Sequence, residues 1–178
     1  PPAVGQDQTF TPEHRPAHGE CIATGAGPLR AIHTPGHAAN HVCYLLQEQG
    51  LLFTGDHIMQ GSTVVINPPD GDMRAYLASL QMLLAEEIAY LAPAHGFLMD
   101  CPRRVITGLI DHRLRREALI LKALRASGSA TAEALLPRVY SHIAEPLKGV
   151  AARSLQAHLQ KLQADGLVRD EEGIWYVV

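Results

Sequence analysis

The sequence predicts an α/β layered domain followed by a smaller module of three helices and a β-hairpin. Short apolar runs, each bounded by turn residues, recur from residue 29 to residue 91, and two of the turns after them carry Gly55-Asp56 and His95-Gly96. Strand, polar residue, loop and helix in that order is the repeat of a layered α/β domain. From Arg116 onward the pattern becomes helix, small-residue turn, helix, loop, helix and two short strands, which is the order of a winged helix. The chain therefore divides into 1–112 and 113–178.

The elements follow from local chemistry. Residues 1–28 are rich in Pro, Gly and polar side chains without a sustained period, and read as loop with a short strand near 21–23. A strand over 29–33 is stopped by Thr34-Pro35-Gly36, because proline lacks a donor and glycine permits the turn. The apolar runs 42–46 and 51–54 flank Gln47-Glu48-Gln49-Gly50 and form a hairpin. A polar loop over 61–71 leads to Asp72, placed to cap a helix over 73–86 whose Leu77, Leu80 and Leu84 share one face. A strand over 88–91 precedes Pro93-Ala94-His95-Gly96. Pro102 suits the first position of a helix reaching 124, with Val105, Ile106, Leu109 and Ile110 on its apolar face. Helices over 131–140 and 147–164 follow, the second with Leu155, Leu159 and Leu162 in one stripe. Strands over 167–169 and 174–178 are joined by Asp170-Glu171-Glu172-Gly173.

Composition narrows the class. Hydrophobic residues make up 47% of the 178 and charged residues 19%, enough apolar surface for a core. No apolar run approaches the roughly 18–20 residues of a membrane span, so no membrane partner is expected. Cys21, Cys43 and Cys101 are odd in number and form no Cys-x-x-Cys, which points to reduced thiols and a cytoplasmic setting. Residues 1–110 carry 5 Lys and Arg against 10 Asp and Glu; residues 111–178 carry 10 against 8. Neither half has the basic excess that phosphate-backbone binding favours. In the last helix Lys148, Arg153 and Lys161 are offset by Asp165 and by an acidic wing tip, so packing or a place in the substrate pocket is expected there and DNA binding is not.

Ten histidines are many for this length, and their placement is informative. His37 and His41 stand four apart, as in the zinc helix His-Glu-x-x-His, but Ala38 replaces the general base and Pro35-Gly36 opposes a helix. A better grouping joins His37, Asp56 and His95. A hydrolytic two-zinc site uses neutral imidazoles as terminal ligands and a carboxylate as bridge, with the ions roughly 3.5–4 Å apart activating a water. Each of the three follows a short strand or its turn, so one sheet edge can present them together. Taken singly each has a plainer reading, since His after Pro-Gly, Gly-Asp and His-Gly all occur in ordinary turns. His57 and Ser62 are candidates for substrate contact, with Thr63 beside them; His57 also suits a place behind the ligands, His41 one beside the site or within the turn, and His33 a structural one.

Thr34-Pro35-Gly36-His37, Phe53-Thr54-Gly55-Asp56 and Pro93-Ala94-His95-Gly96 resemble the later motifs of metallo-β-lactamase-fold hydrolases. Pro68-Pro69-Asp70-Gly71-Asp72-Met73 and His112-Arg113-Leu114-Arg115-Arg116-Glu117 extend the match to the winged-helix branch that contains β-lactamase-like protein 2. The resemblance covers about residues 29–178. It implies the C-terminal part of an αββα sandwich followed by a winged helix, with His37 on a first zinc, Asp56 bridging and His95 on a second. The family motif His-x-His-x-Asp-His is missing, because no two histidines here are separated by a single residue. His14 and His18 have the wrong spacing and no Asp-His after them. The chain is thus expected to be a fragment of a zinc-dependent hydrolase of esters, thioesters or RNA phosphodiesters, acting through a metal-bound hydroxide and inactive by itself. Its partners would be that substrate and its own missing N-terminal half, with a homo-oligomer contact as another cover for an open sheet. The alternative is a non-catalytic binding module that has lost its metal.

Overall fold

The computed structural model describes residue 9 and residues 11–178. In chain order the elements are β1 (Cys21–Thr24), β2 (Gly27–His33), β3 (Val42–Leu46), β4 (Leu51–Gly55), α1 (Met73–Leu83), β5 (Tyr90–Pro93), α2 (Pro102–Ser127), β6 (Ser129–Thr131), α3 (Ala132–Val139), α4 (Lys148–Ala164), β7 (Val168–Glu171) and β8 (Ile174–Val177). The first five strands form one sheet in the order β1-β2-β3-β4-β5. The pairings from β1 to β4 are antiparallel and β4 with β5 is parallel. Strands β2, β4 and β5 therefore run the same way, and their C-terminal ends share one edge.

Residue alternation decides which side chains face the helices. Ile32, Cys43, Leu45, Leu52 and Leu91 pack against Met73, Tyr76, Leu77, Leu80 and Leu83 of α1 and Ile106 and Ile110 of α2. Asp72 caps α1 as expected, its carboxylate accepting from the Ala75 amide at 2.8 Å. The helix stops at Leu83, short of residue 86, because its last turn tightens: the amides of Leu84, Ala85 and Glu86 bond carbonyls three residues back. Leu83 consequently takes the buried position and Leu84 sits at the core margin. The strand expected over 88–91 begins two residues later. The amides of Ala89 and Tyr90 both donate to the Gly50 carbonyl, which fixes where pairing with β4 starts.

Helix α2 is long enough to serve two cores. Ile106 and Ile110 belong to the first; Ile120 and Leu124 join Leu135, Val139, Leu155, Leu159, Leu162, Val168 and Trp175 in the second. The second core is closed by the sheet β6-β8-β7. Strand β6 lies in what the sequence suggests is only a turn, because three small and hydroxylated residues carry no apolar pattern. The hairpin residues Asp170-Glu171-Glu172-Gly173 do join β7 to β8. Among the described residues, no helix is long and apolar enough to cross a membrane.

Candidate metal centre

The turn after β2 is held from both sides. The Thr34 amide donates to the His41 carbonyl at 2.9 Å, and its hydroxyl lies 2.8 Å from His41 Nδ1. From α1, the Ser79 hydroxyl donates to the Pro35 carbonyl and the Asp72 amide to the Gly36 carbonyl, both at 2.8 Å. Gly36 has φ of 140°, and a Cβ there would collide with the backbone of Tyr76. Only glycine lets the turn approach α1 so closely. The result is a fixed position for His37.

His37 Nδ1 donates to the Val65 carbonyl at 2.8 Å. A carbonyl only accepts, so the proton is on Nδ1 and the lone pair is on Nε2. That nitrogen lies 3.9 Å from Oδ2 of Asp56, while His95 Nε2 lies 3.3 Å from Oδ1. Each imidazole thus addresses a different oxygen of one carboxylate. Oδ1 is buried yet has no hydrogen-bond partner, so the 3.3 Å approach of His95 is not in hydrogen-bond geometry. Ligands of one tetrahedral ion aim at a shared point rather than at each other, with atoms roughly 3.3 Å apart for bonds of about 2.0–2.1 Å. The donor set of two imidazoles and one carboxylate fits divalent metal. It does not close a centre: among the described residues no group of three or more His, Cys, Asp or Glu is gathered tightly enough to hold an ion alone.

The edge of the sheet makes this convergence. The β4–β5 register shifts between Phe53 and Gly55, and the Ala94 amide donates to the Gly55 carbonyl at 3.0 Å, bringing the turns of Asp56 and His95 together. Gly55 has φ of 51°, and a Cβ on it would stand 2.8 Å from His41 Nε2.

His57 is corrected from a substrate-facing candidate to an interior residue. It is fully buried, with its ring 5.4 Å from that of His41 and 4.8 Å from that of Tyr76. Neither ring nitrogen has a partner. Loss of hydration, then the neighbouring His41 and His37, lower its pKa to about 3. His41 lies within the turn, and burial lowers its pKa to about 4, with His37 adding to the effect and Asp56 opposing it. Ser62 is exposed and Thr63 half-buried on the loop after Asp56. His33 Nε2 pairs with the Ala39 carbonyl at 2.9 Å, a structural contact.

Sequence reasoning gave Tyr76 and Arg113 no role at the site, although Arg113 stands in the His112–Glu117 match. The Tyr76 hydroxyl donates to the His57 carbonyl at 3.1 Å, and Arg113 Nη2 donates to the Val64 carbonyl at 2.5 Å. The signal was present in the α2 stripe. Ile106, Ile110, Arg113, Glu117, Ile120 and Leu124 follow one buried face, so two charged residues occupy core positions.

Comparison with known proteins extends this geometry. A family model described as "Metallo-beta-lactamase superfamily" matches residues 4–95, and one described as "Beta-lactamase associated winged helix domain" matches 131–175. The chain is 33% identical over 174 residues to an atrochrysone carboxyl ACP thioesterase of Aspergillus chevalieri, covering 90% of this chain and 54% of that one. It is 33% identical over 158 residues to a beta-lactamase-like protein 2 homolog of Drosophila melanogaster, covering 88% and 52%. The chain spans about half the length of these curated relatives. The fold is similar to that of a metallo-beta-lactamase family protein from Thermus thermophilus, with a TM-score of 0.79 at 23% identity over 91% of this chain and 53% of that one.

Proposed function

The chain belongs to the metallo-beta-lactamase superfamily, and from that premise we propose that it forms the half-site of a zinc-dependent hydrolase that cleaves thioesters. The observation that carries the reading is the Asp56 carboxylate set between the two imidazoles, Oδ2 toward His37 and Oδ1 toward His95, with Oδ1 buried and without a hydrogen-bond partner. His37 and His95 would each hold one ion through Nε2, and Asp56 would bridge them. When bound, two divalent ions supply Lewis-acid polarisation of the scissile carbonyl and a water activated near neutral pH. The Val65 carbonyl keeps His37 in the ligating tautomer, the usual role of such a partner. His57 and His41 stay neutral behind the site and present no competing charge to it. Further ligands are required from outside the described donor set.

Thioesters are preferred over other esters and RNA phosphodiesters because relatives are named acyl carrier protein thioesterases. Three free cysteines support a reducing, cytoplasmic setting. We read the winged helix as a packing module rather than a DNA reader, since α4 buries Ser154, His158 and much of Lys161 against the rest of the chain. The test, made on protein that joins this chain to a segment supplying the further ligands, is metal content by mass spectrometry together with hydrolysis of an acyl-thioester panel and an RNA panel. Asp56→Asn and His95→Ala are expected to lose bound zinc and lower thioester turnover at least about 100-fold. Absence of zinc and of hydrolysis even when the further ligands are supplied would favour a binding module, and cleavage confined to RNA would overturn the thioester assignment.

A further inference from the structure

We infer that Arg113 is a positioning residue for His37, acting through the backbone of Val64 and Val65. The inference rests on the metal-site reading above and adds a residue from α2 to it. Val64 and Ile66 are buried while Val65 is only half-buried, the alternation of an extended segment. Successive carbonyls of such a segment point to opposite sides. That of Val64 accepts from Arg113 at 2.5 Å, and that of Val65 accepts from His37 at 2.8 Å. One residue of chain thus couples the helix to the imidazole.

Stability alone is a poor reason for this arginine. Arg113 is 3% exposed, its Nε has no partner, and its guanidinium lies 5.2 Å from the centre of the Tyr76 ring. The carboxylate one turn on, Glu117, is engaged by Lys161 at 2.9 Å and His158 at 3.4 Å. A buried cation with no carboxylate, met only by one carbonyl and by Tyr76, is costly to the fold, and such local costs concentrate where a site needs geometry. Tyr76 works from the same place: it stacks under Arg113 and donates to the His57 carbonyl, beside Asp56. The two residues fix the backbones on either side of the His37–Asp56 pair. The motif His112-Arg113-Leu114-Arg115-Arg116-Glu117 thereby divides its work. Arg113 reaches the site loop, while Arg116 donates to the Val139 carbonyl and Glu117 holds α4, so the winged helix braces the helix that carries Arg113.

The experiment uses the full chain, metal-free and labelled with ¹⁵N-histidine, with imidazole tautomers read by long-range nitrogen–proton correlation at pH 8. Wild type should show His37 protonated on Nδ1. Arg113→Lys, which keeps the charge but lacks the planar fork, should shift His37 toward the Nε2-protonated form and, where the further ligands are supplied, weaken zinc binding roughly 10–100-fold. Arg113→Met should do the same or more. Arg116→Lys, one turn along α2 but directed at Val139, should leave the His37 tautomer unchanged. Unaltered His37 signals in a folded Arg113 variant overturn the inference, as does unfolding of both Arg113 variants, which would make Arg113 a strut of the core only. If the tautomer responds to Arg113 but no zinc is taken up even with the further ligands supplied, the metal reading fails and the positioning role stands.

Discussion

The two faces of the five-stranded sheet carry similar side chains and meet different surroundings. Under α1 and α2, Ile32, Cys43, Leu45, Leu52 and Leu91 are all buried. On the opposite face, register aligns Leu29, Leu46, Leu51 and Tyr90 in one row and Ala31, Tyr44, Phe53 and Ala92 in the next. Phe53 is 43% exposed there and Tyr90 46%. An antiparallel sheet that faces water usually alternates apolar with polar residues; this one is apolar on both sides, as in the inner layer of a sandwich. The second core shows the contrast, since three helices and a three-stranded sheet enclose Leu124, Leu135 and Leu159 completely. The candidate ligands all sit on the sheet edge where its covered and uncovered faces meet.

The largest expected effect tests that contrast directly. Leu52 and Phe53 are neighbours on β4 pointing to opposite faces. Leu52→Ala should cost about 2–5 kcal/mol in urea unfolding, and Phe53→Ala no more than about 1 kcal/mol. Equal losses at both positions would break the comparison and show that the second face is covered in solution.

A smaller effect separates the junction around α4 from both cores by pH. His158 is fully buried, 3.4 Å from Glu117, and burial lowers its pKa while Glu117 partly opposes that. Arg113 and Arg116 add to the lowering. Lys161, also on Glu117, stays charged throughout the acid range, its pKa being raised by Asp165 and Glu117 against the effect of burial. A depressed folded value means that the unfolded chain takes up the proton first. His158 therefore stabilises fully above its unfolded pKa near 6.5, and that contribution is lost as pH falls toward the folded value. The melting temperature of His158→Gln should fall less between pH 7.5 and 5 than that of wild type. Parallel profiles would show that His158 takes up its proton alike in the folded and unfolded chain.

How much of this was legible in the sequence depends on the kind of signal. Periodicity located the β3–β4 hairpin, α2, α4 and the Leu155, Leu159 and Leu162 stripe, because each rests on local spacing. The ends of α1 and β5 were misplaced because bonds to carbonyls outside the local pattern decide them. For the site, parallel directions of β2, β4 and β5 explain why His37, Asp56 and His95 meet. The burial of His57 was not legible, since it depends on Tyr76 arriving from α1. Nor was the role of Val65, because a backbone carbonyl has no sequence signature.

Capping supplies a finer comparison of the two modules. Asp72 caps α1 at 2.8 Å and Thr131 caps α3 at 3.3 Å. Asp72→Ala should cost about 1 kcal/mol and Thr131→Ala less, since the longer bond loses less when removed. Asp72 has a second bearing on the site, because its amide holds the Gly36 carbonyl. Chemical denaturation of both variants measures the difference, and a larger loss at Thr131 would reverse the ranking.

The smallest effect concerns the contact that joins the modules across α1 and α4. Arg74, whose side chain is 54% exposed, pairs with Asp165, which also accepts from Lys161 at 2.7 Å. The Lys161 bond is the main reason the Asp165 pKa is lowered, so the carboxylate stays ionised without Arg74. A double-mutant cycle of Arg74→Ala and Asp165→Asn should therefore give a coupling of only about 0.2–1 kcal/mol, weaker in high salt. Arg74 thus sets little of the junction, which rests instead on Glu117, His158 and Lys161, where charge is withdrawn from water. A coupling well above that range, unchanged by salt, would show that the α1–α4 seam is desolvated too and would move the boundary between the two regions onto α1.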